Sequence, residues 1–155
     1  MIGNSPYKED IARLFREGLE LGRLHGKTIL VAGATGLVGG CVVDVLMQNP
    51  VRCYKVIAAG RNKERARKKF AAYWEDESFF FAEIDVTQPV TKSMDRMIGE
   101  PVYDELAEGM DYIIDAASNA SPNFFSQHPV EVMKANVNGV SNLLEYGLSH
   151  HMKRM

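Results

Sequence analysis

Residues 27–40, Lys27 to Gly40, read KTILVAGATGLVGG. The stretch opens on a short apolar run, Thr28 to Ala32, with no polar alternation. Both faces of such a strand are expected to be buried, as in a parallel sheet. Three glycines then follow at a spacing of three, Gly33, Gly36 and Gly39. After them Val38, Val42, Val45 and Leu46 recur at helical spacing. Strand, glycine turn and helix form the context in which a glycine fingerprint implies dinucleotide binding. Gly33 makes the turn off the strand, Gly36 lets backbone approach a pyrophosphate, and Gly39 lets the helix pack close to the strand. The free N–H groups and the positive dipole end of the helix would face the phosphates. The alternative is a strand-to-helix turn that holds no ligand.

Composition narrows the field. A chain of 155 residues suits one domain. Apolar residues make up 46% and charged residues 25%, as in ordinary soluble chains. A net charge of −2 offers no electrostatic basis for a nucleic acid or an acidic membrane as partner. The one basic run, Arg61 to Lys69, is local. No stretch approaches the roughly 20 apolar residues that cross a bilayer, and the N-terminus lacks a signal-peptide layout. Cys41 and Cys53 imply no disulfide framework, and Cys41 is expected as a small core side chain. A reducing cytoplasm is the expected setting.

Outward from the glycine turn, strands alternate with helices. Asp10 to Leu24 reads as a helix on Ile11, Leu14, Phe15, Gly18 and Leu19, an N-terminal extension over residues 1–25. It is expected to pack on the domain of residues 26–155, with partner binding as the alternative. Val38 to Gln48 is the first helix after the turn, stopped by Asn49-Pro50. Lys55 to Ala59 is the second strand. Lys63 to Trp74 is a basic helix with Ala66, Phe70, Tyr73 and Trp74 inside and Arg65, Lys68 and Lys69 on a solvated face. Phe79 to Ile84 is the third strand. An irregular stretch, Thr87 to Glu100, contains a possible helical turn at Ser93 to Ile98, and Pro101 to Glu108 reads as a short helix. Tyr112 to Ala117 is the fourth strand, Ser118 to Pro129 a loop, and Val130 to about Met152 a long helix. That helix carries two apolar stripes: Met133, Val137, Val140, Leu144 and Leu148, then Val132, Ala135, Leu143 and Tyr146. One stripe should cover the sheet. The second stripe, Val132 to Tyr146, is expected to stay exposed and to drive self-association, as is the unpaired edge of the fourth strand. The pattern predicts an α/β Rossmann-type doubly wound parallel sheet of order 3-2-1-4.

GATGLVGG resembles the glycine turn of the short-chain dehydrogenase/reductases, and its surroundings resemble the extended branch, the NAD(P)-dependent sugar-nucleotide epimerases and dehydratases. The resemblance covers about residues 26–155 and implies a Rossmann domain followed by a smaller substrate domain. It implies that Asp85 and Val86 border the adenine; capping of the next turn by Asp85 is the alternative. Ala116, Ala117 and Ser118 would let the middle of the cofactor pass, with Asp115 standing where the family usually has histidine. Asn136, in KANVNG, matches an asparagine that the family keeps in this helix. The loop SNASPNFFSQHP is similar to that of the decarboxylases and dehydratases, with Phe125 where a tyrosine is expected. Past the second strand stand Arg61 and Asn62 and no carboxylate, which favours NADP over NAD if Arg61 takes a 2′-phosphate. Arg61 could instead stack on adenine or only solvate the turn. The expected cofactor contacts are thus Gly33, Thr35, Gly36, Leu37, Val38, Gly39, Arg61, Asn62, Asp85, Val86, Ala116, Ala117, Ser118 and Asn136.

The family's Tyr-x-x-x-Lys acid/base pair is absent. Ile11, Ala58, Glu77, Ala107, Ala116 and His150 stand four residues after the six tyrosines. Lys153-Arg154-Met155 falls where a fifth strand would begin, so no catalytic residue is assigned. Neither His150-His151 nor the loop residues His25 and His128 suggest a metal site. Two functions remain. One is the cofactor half of an epimerase or dehydratase with a nucleotide-sugar substrate, inactive as this chain alone. The other is a non-enzymatic NAD(P)-sensing module.

Overall fold

The computed structural model describes residues 6–90, 109–118 and 122–155. Its centre is β1 (Thr28–Ala32), with every residue buried, as a strand without polar alternation requires. β2 (Lys55–Gly60) and β4 (Tyr112–Asp115) flank it, and β3 (Phe79–Glu83) lies beyond β2. All pairings are parallel and the order is β3-β2-β1-β4, as expected. Side chains alternate across the sheet. Ile29 and Val31 pack with Val43, Leu46 and Met47 of α2 (Leu37–Met47) and with Ala66 of α3 (Lys63–Lys69). On the opposite face Leu30 and Ala32 join Leu143 and Tyr146 of the last helix. A buried Leu or Val contributes roughly 1.5–3 kcal/mol, so these two layers hold the sheet between its helical faces.

Several elements depart from the sequence reading. The first helix, α1, runs Pro6–Arg16 rather than Asp10 to Leu24, and a 3-10 turn at Gly22–Leu24 follows. Gly18 has φ +97° and stops it. Leu19 N–H donates to Leu14 O at 2.9 Å and Gly18 N–H to Phe15 O at 3.2 Å, the paired bonds of a Schellman ending. α1 packs through Ile11, and its Tyr7 hydroxyl donates to Asp44 of α2 at 2.9 Å. Cys41 is exposed on α2, not a core side chain. α3 ends at Lys69 rather than Trp74, because Phe70, Tyr73 and Trp74 instead turn to pack their rings around Phe79. The stretch read as a loop contains a helix, α4 (Pro122–Gln127). α5 spans Pro129–Ser149.

On α5 the two stripes exchange roles. Leu143 and Tyr146, expected outside, are buried against the sheet, and Val132 is buried as well. Met133, Val137, Leu144 and Leu148 face outward instead. Gly139 and Gly147 explain the choice. A Cβ on Gly139 would stand 3.0 Å from Val86 Cγ2, and one on Gly147 would stand 3.0 Å from Ile113 Cδ1. The helix lies closest to the sheet along the face that carries its glycines.

At the open edge of β4, Arg154 forms one further parallel bridge with Tyr112, and Ile113 N–H donates to Arg154 O at 3.1 Å. Buried Asp111 anchors this corner. Its carboxylate accepts from Thr28 N–H at 2.9 Å and pairs with Lys153 at 2.8 Å and Lys27 at 3.5 Å. The expected helical segments at residues 93–98 and 101–108 lie outside the described residues, as do residues 119–121 of the loop. Among the described residues no helix is long and apolar enough to cross a membrane.

Candidate functional site

Parallel strands point their carboxyl ends the same way, so the turns that follow them share one edge. Gly33 to Gly39 follow β1, Arg61 and Asn62 follow β2, Asp85 and Val86 follow β3, and Ala116 to Ser118 follow β4. Every expected contact except Asn136 therefore gathers at that edge. The order of the sheet reverses between β1 and β4, which makes a crevice there.

The glycine turn is built by close contact. Gly33 has φ +69°, and a Cβ on it would stand 2.7 Å from Ala117 Cα. The turn off β1 therefore lies directly against the residues after β4. A Cβ on Gly39 would meet Gly33 O at 2.5 Å, so α2 starts with its first turn pressed on the loop. Gly36 is the N-cap of α2 and gives it no side-chain hydrogen bond. Leu37 is 90% exposed, and Val38 beside it is open too. The first N–H groups of α2 thus have no side-chain cap, a setting that suits an anion. A Cβ on Gly36 would stand 3.1 Å from Gly33 O. Thr35 places its hydroxyl 3.4 Å from where a Cβ on Gly60 would be, which ties the turn to the end of β2.

At the end of β2, Arg61 is exposed. Asn62 caps α3, its Oδ1 accepting from Arg65 N–H at 2.8 Å. Glu83, opposite Gly60 in the register, accepts from Lys63 N–H at 3.2 Å. The N-terminus of α3 is therefore capped twice, unlike that of α2. Asp85 Oδ1 accepts from Thr87 N–H at 3.0 Å and from the Thr87 hydroxyl at 2.8 Å, the turn-capping arrangement that stood as the alternative to an adenine contact. Val86 packs under Gly139, and its carbonyl accepts from Asn142 Nδ2 at 2.8 Å. Asn136 is exposed, so the side-chain bond from α5 to this edge comes from Asn142. β4 ends at Asp115 rather than Ala117, because its carboxylate accepts from Ala117 N–H at 2.9 Å and turns the chain.

Lys69 departs most from its expected place on a solvated face. It is half-buried, and its Nζ donates to the carbonyls of Gly36 and, at 3.4 Å, of Thr35. Burial lowers its pKa below the ordinary lysine value, opposed by the charge of Asp44. Nothing in the basic run around it distinguishes this lysine in the sequence. His128 stacks on Phe124 with centroids 4.6 Å apart and meets Glu131 at 3.2 Å. Among the described residues no group of three His, Cys, Asp or Glu side chains could hold a metal.

The model of the NAD dependent epimerase/dehydratase family matches residues 29–155. UDP-glucuronic acid decarboxylase 3 of Arabidopsis thaliana is 28% identical over 116 residues, and decarboxylase 6 of the same plant is 30% identical over 116. Each alignment covers 75% of this chain and 29% of the relative, so the chain spans under a third of the length of the curated relatives it matches. Among solved structures, the NADPH-bound carbonyl reductase from chicken fatty liver superposes with a TM-score of 0.66 at 22% identity. That superposition covers 86% of this chain and 51% of the reductase, a likeness of fold.

Proposed function

The chain belongs to the NAD dependent epimerase/dehydratase family, and from that premise we propose that it is the dinucleotide-binding portion of an enzyme acting on a nucleotide sugar. The observation that carries this is the uncapped N-terminus of α2, open to solvent beside a glycine turn locked by its own backbone contacts. The residues present fit the cofactor. A helix start without a side-chain cap, beside a glycine turn that packs tightly on its own backbone, offers N–H donors for a diphosphate. When bound, a nicotinamide dinucleotide supplies hydride transfer.

The chain's own residues would divide the work. Thr35, Leu37 and Val38 would line the diphosphate. Asp85, Val86 and the small residues Ala116, Ala117 and Ser118 would border the adenine and the middle of the cofactor, and Asn136 would face it from α5. Arg61 would meet the adenosine ribose. Asn62 and Glu83 are engaged at the start of α3; exposed Arg61 would answer a 2′-phosphate, a reading that favours NADP over NAD. The nucleotide-sugar substrate follows from the UDP-glucuronic acid decarboxylases among the relatives. Residues 1–25 form an extension on the domain of residues 26–155. The outward stripe of α5 supports self-association through Met133, Val137, Leu144 and Leu148.

No Tyr-x-x-x-Lys pair stands in this sequence, so the chain as given binds cofactor without turning over a sugar. The same absence favours, as a second reading, a cofactor-sensing module. The test is incubation with NAD or NADP and a panel of UDP-, GDP- and dTDP-sugars. Calorimetry should register cofactor binding, while reduced-nicotinamide absorbance and sugar products stay at the no-protein blank. Turnover that disappears in Gly36→Val would overturn the inactive reading and place an acid/base within these residues.

A further inference from the structure

The glycine turn accounts for the shape of the anion site but not for the lysine beside it. A helix N-terminus carries roughly half a positive charge, so a cation is normally favoured at the opposite end. Lys69 breaks that rule. Gly36 is the N-cap of α2 and Gly40 lies in its first turn. Lys69 Nζ bonds the Gly36 carbonyl and lies where a Cβ on Gly40 would be. It reaches there from the far end of α3, with part of its solvation lost. Asp44, a turn further along α2, acts on it as a field, but its carboxylate also accepts from Tyr7. A half-buried ammonium has therefore been added to the positive end of a helix whose N–H groups are uncapped. The carbonyls of Gly36 and Thr35 hold the ammonium there, and an anion seated at that end would give it a counter-charge as well.

We propose that Lys69 is a binding residue for the diphosphate of the dinucleotide, supplying the charge-assisted contact that the neutral N–H groups of the turn lack. The inference rests on the dinucleotide reading above. It assigns to α3, an element outside the glycine fingerprint, a share in holding the phosphates. The competing role is that of a clamp, in which Lys69 only ties α3 to the carbonyls of Thr35 and Gly36.

The two roles separate in ligand-free stability and in anion response. Wild type, Lys69→Met and Lys69→Arg would be titrated with NAD and ADP-ribose by calorimetry and melted with and without inorganic pyrophosphate. A contact to phosphate predicts that Lys69→Met weakens NAD and ADP-ribose alike, by about tenfold. Its ligand-free melting temperature stays level or rises, and the pyrophosphate-induced rise expected of wild type disappears. Lys69→Arg keeps most of the affinity. NAD affinity in Lys69→Met within twofold of wild type would overturn the proposal. A ligand-free melting temperature lower by several degrees would overturn it too, as the mark of a clamp. A wild-type chain that binds neither NAD nor ADP-ribose would defeat the dinucleotide reading itself, and this inference with it.

Discussion

Helices α2 and α5 both show apolar side chains to solvent, in different ways. On α2 the large exposed apolar side chains are Leu37 and Val38 in the first turn, while Val43, Leu46 and Met47 further along are buried. On α5 the exposure runs the length of the helix, with Met133 at 64%, Val137 at 60% and Leu148 at 71%. An apolar patch at one helix end, beside uncapped N–H groups, suits a ligand that is part anion and part ring. An apolar stripe along a helix of 21 residues suits another helix or a second copy. The two exposures thus answer to different partners and should respond to different substitutions.

The largest expected effect is on the turn between β1 and α2. Gly33→Ala forces a left-handed backbone on a residue with a Cβ and drives that Cβ into the backbone of Ala116 and Ala117. It should cost about 3 kcal/mol or more in denaturant unfolding. A loss below about 1 kcal/mol would mean that the contact between β1 and β4 is looser than the geometry here. Next comes the pair Leu143→Ala and Leu144→Ala. Leu143 is fully buried against the sheet and should lose about 2–5 kcal/mol, whereas Leu144 should lose less than about 1. Equal losses would show that α5 is rotated from its position here. Third, Val137→Lys combined with Leu148→Lys should change stability by no more than about 1 kcal/mol and shift the chain to monomer in light scattering. A wild-type chain that is monomeric at high concentration would remove the proposed role of that stripe. The smallest effect is at the ribose. Arg61→Ala should weaken NADP several-fold more than NAD by calorimetry, about 1 kcal/mol. Equal losses would leave Arg61 a stacking role only.

The central sheet was legible because its signals are local and redundant. Thr28 to Ala32 carries no polar residue after its first, and β1 is buried throughout. The glycine triplet then falls where the strand ends. What escaped the sequence depends on which of two equivalent surfaces meets the sheet. Both stripes of α5 are apolar, and only Gly139 and Gly147 on the inner face mark the close side. The early end of α3 escaped for a similar reason. Phe70, Tyr73 and Trp74 keep helical spacing, yet their rings pack around Phe79, so tertiary contact overrides the local pattern. At the site, the turn residues Gly33 to Gly39 were readable, but Asn142 and Lys69 were not. Asn142 sits on α5 like Asn136 and differs only in what lies beneath it. Lys69 is one cation in a run of cations, and its fold back onto Gly36 is a long-range event.

The central claim is that the N-terminus of α2 and its glycine turn hold the diphosphate of a dinucleotide. Gly36→Val tests it most directly. Gly36 has φ −70°, which any residue adopts, and a Cβ there stands 3.1 Å from Gly33 O, so the chain should still fold once that carbonyl gives by a few tenths of an ångström. The branched side chain would occupy the space that the phosphates need. Titrating wild type and Gly36→Val with NAD and NADP in a calorimeter, with ligand-free melting curves as control, should show affinity falling more than tenfold while the melting temperature holds. Unchanged affinity in a folded Gly36→Val would contradict the account.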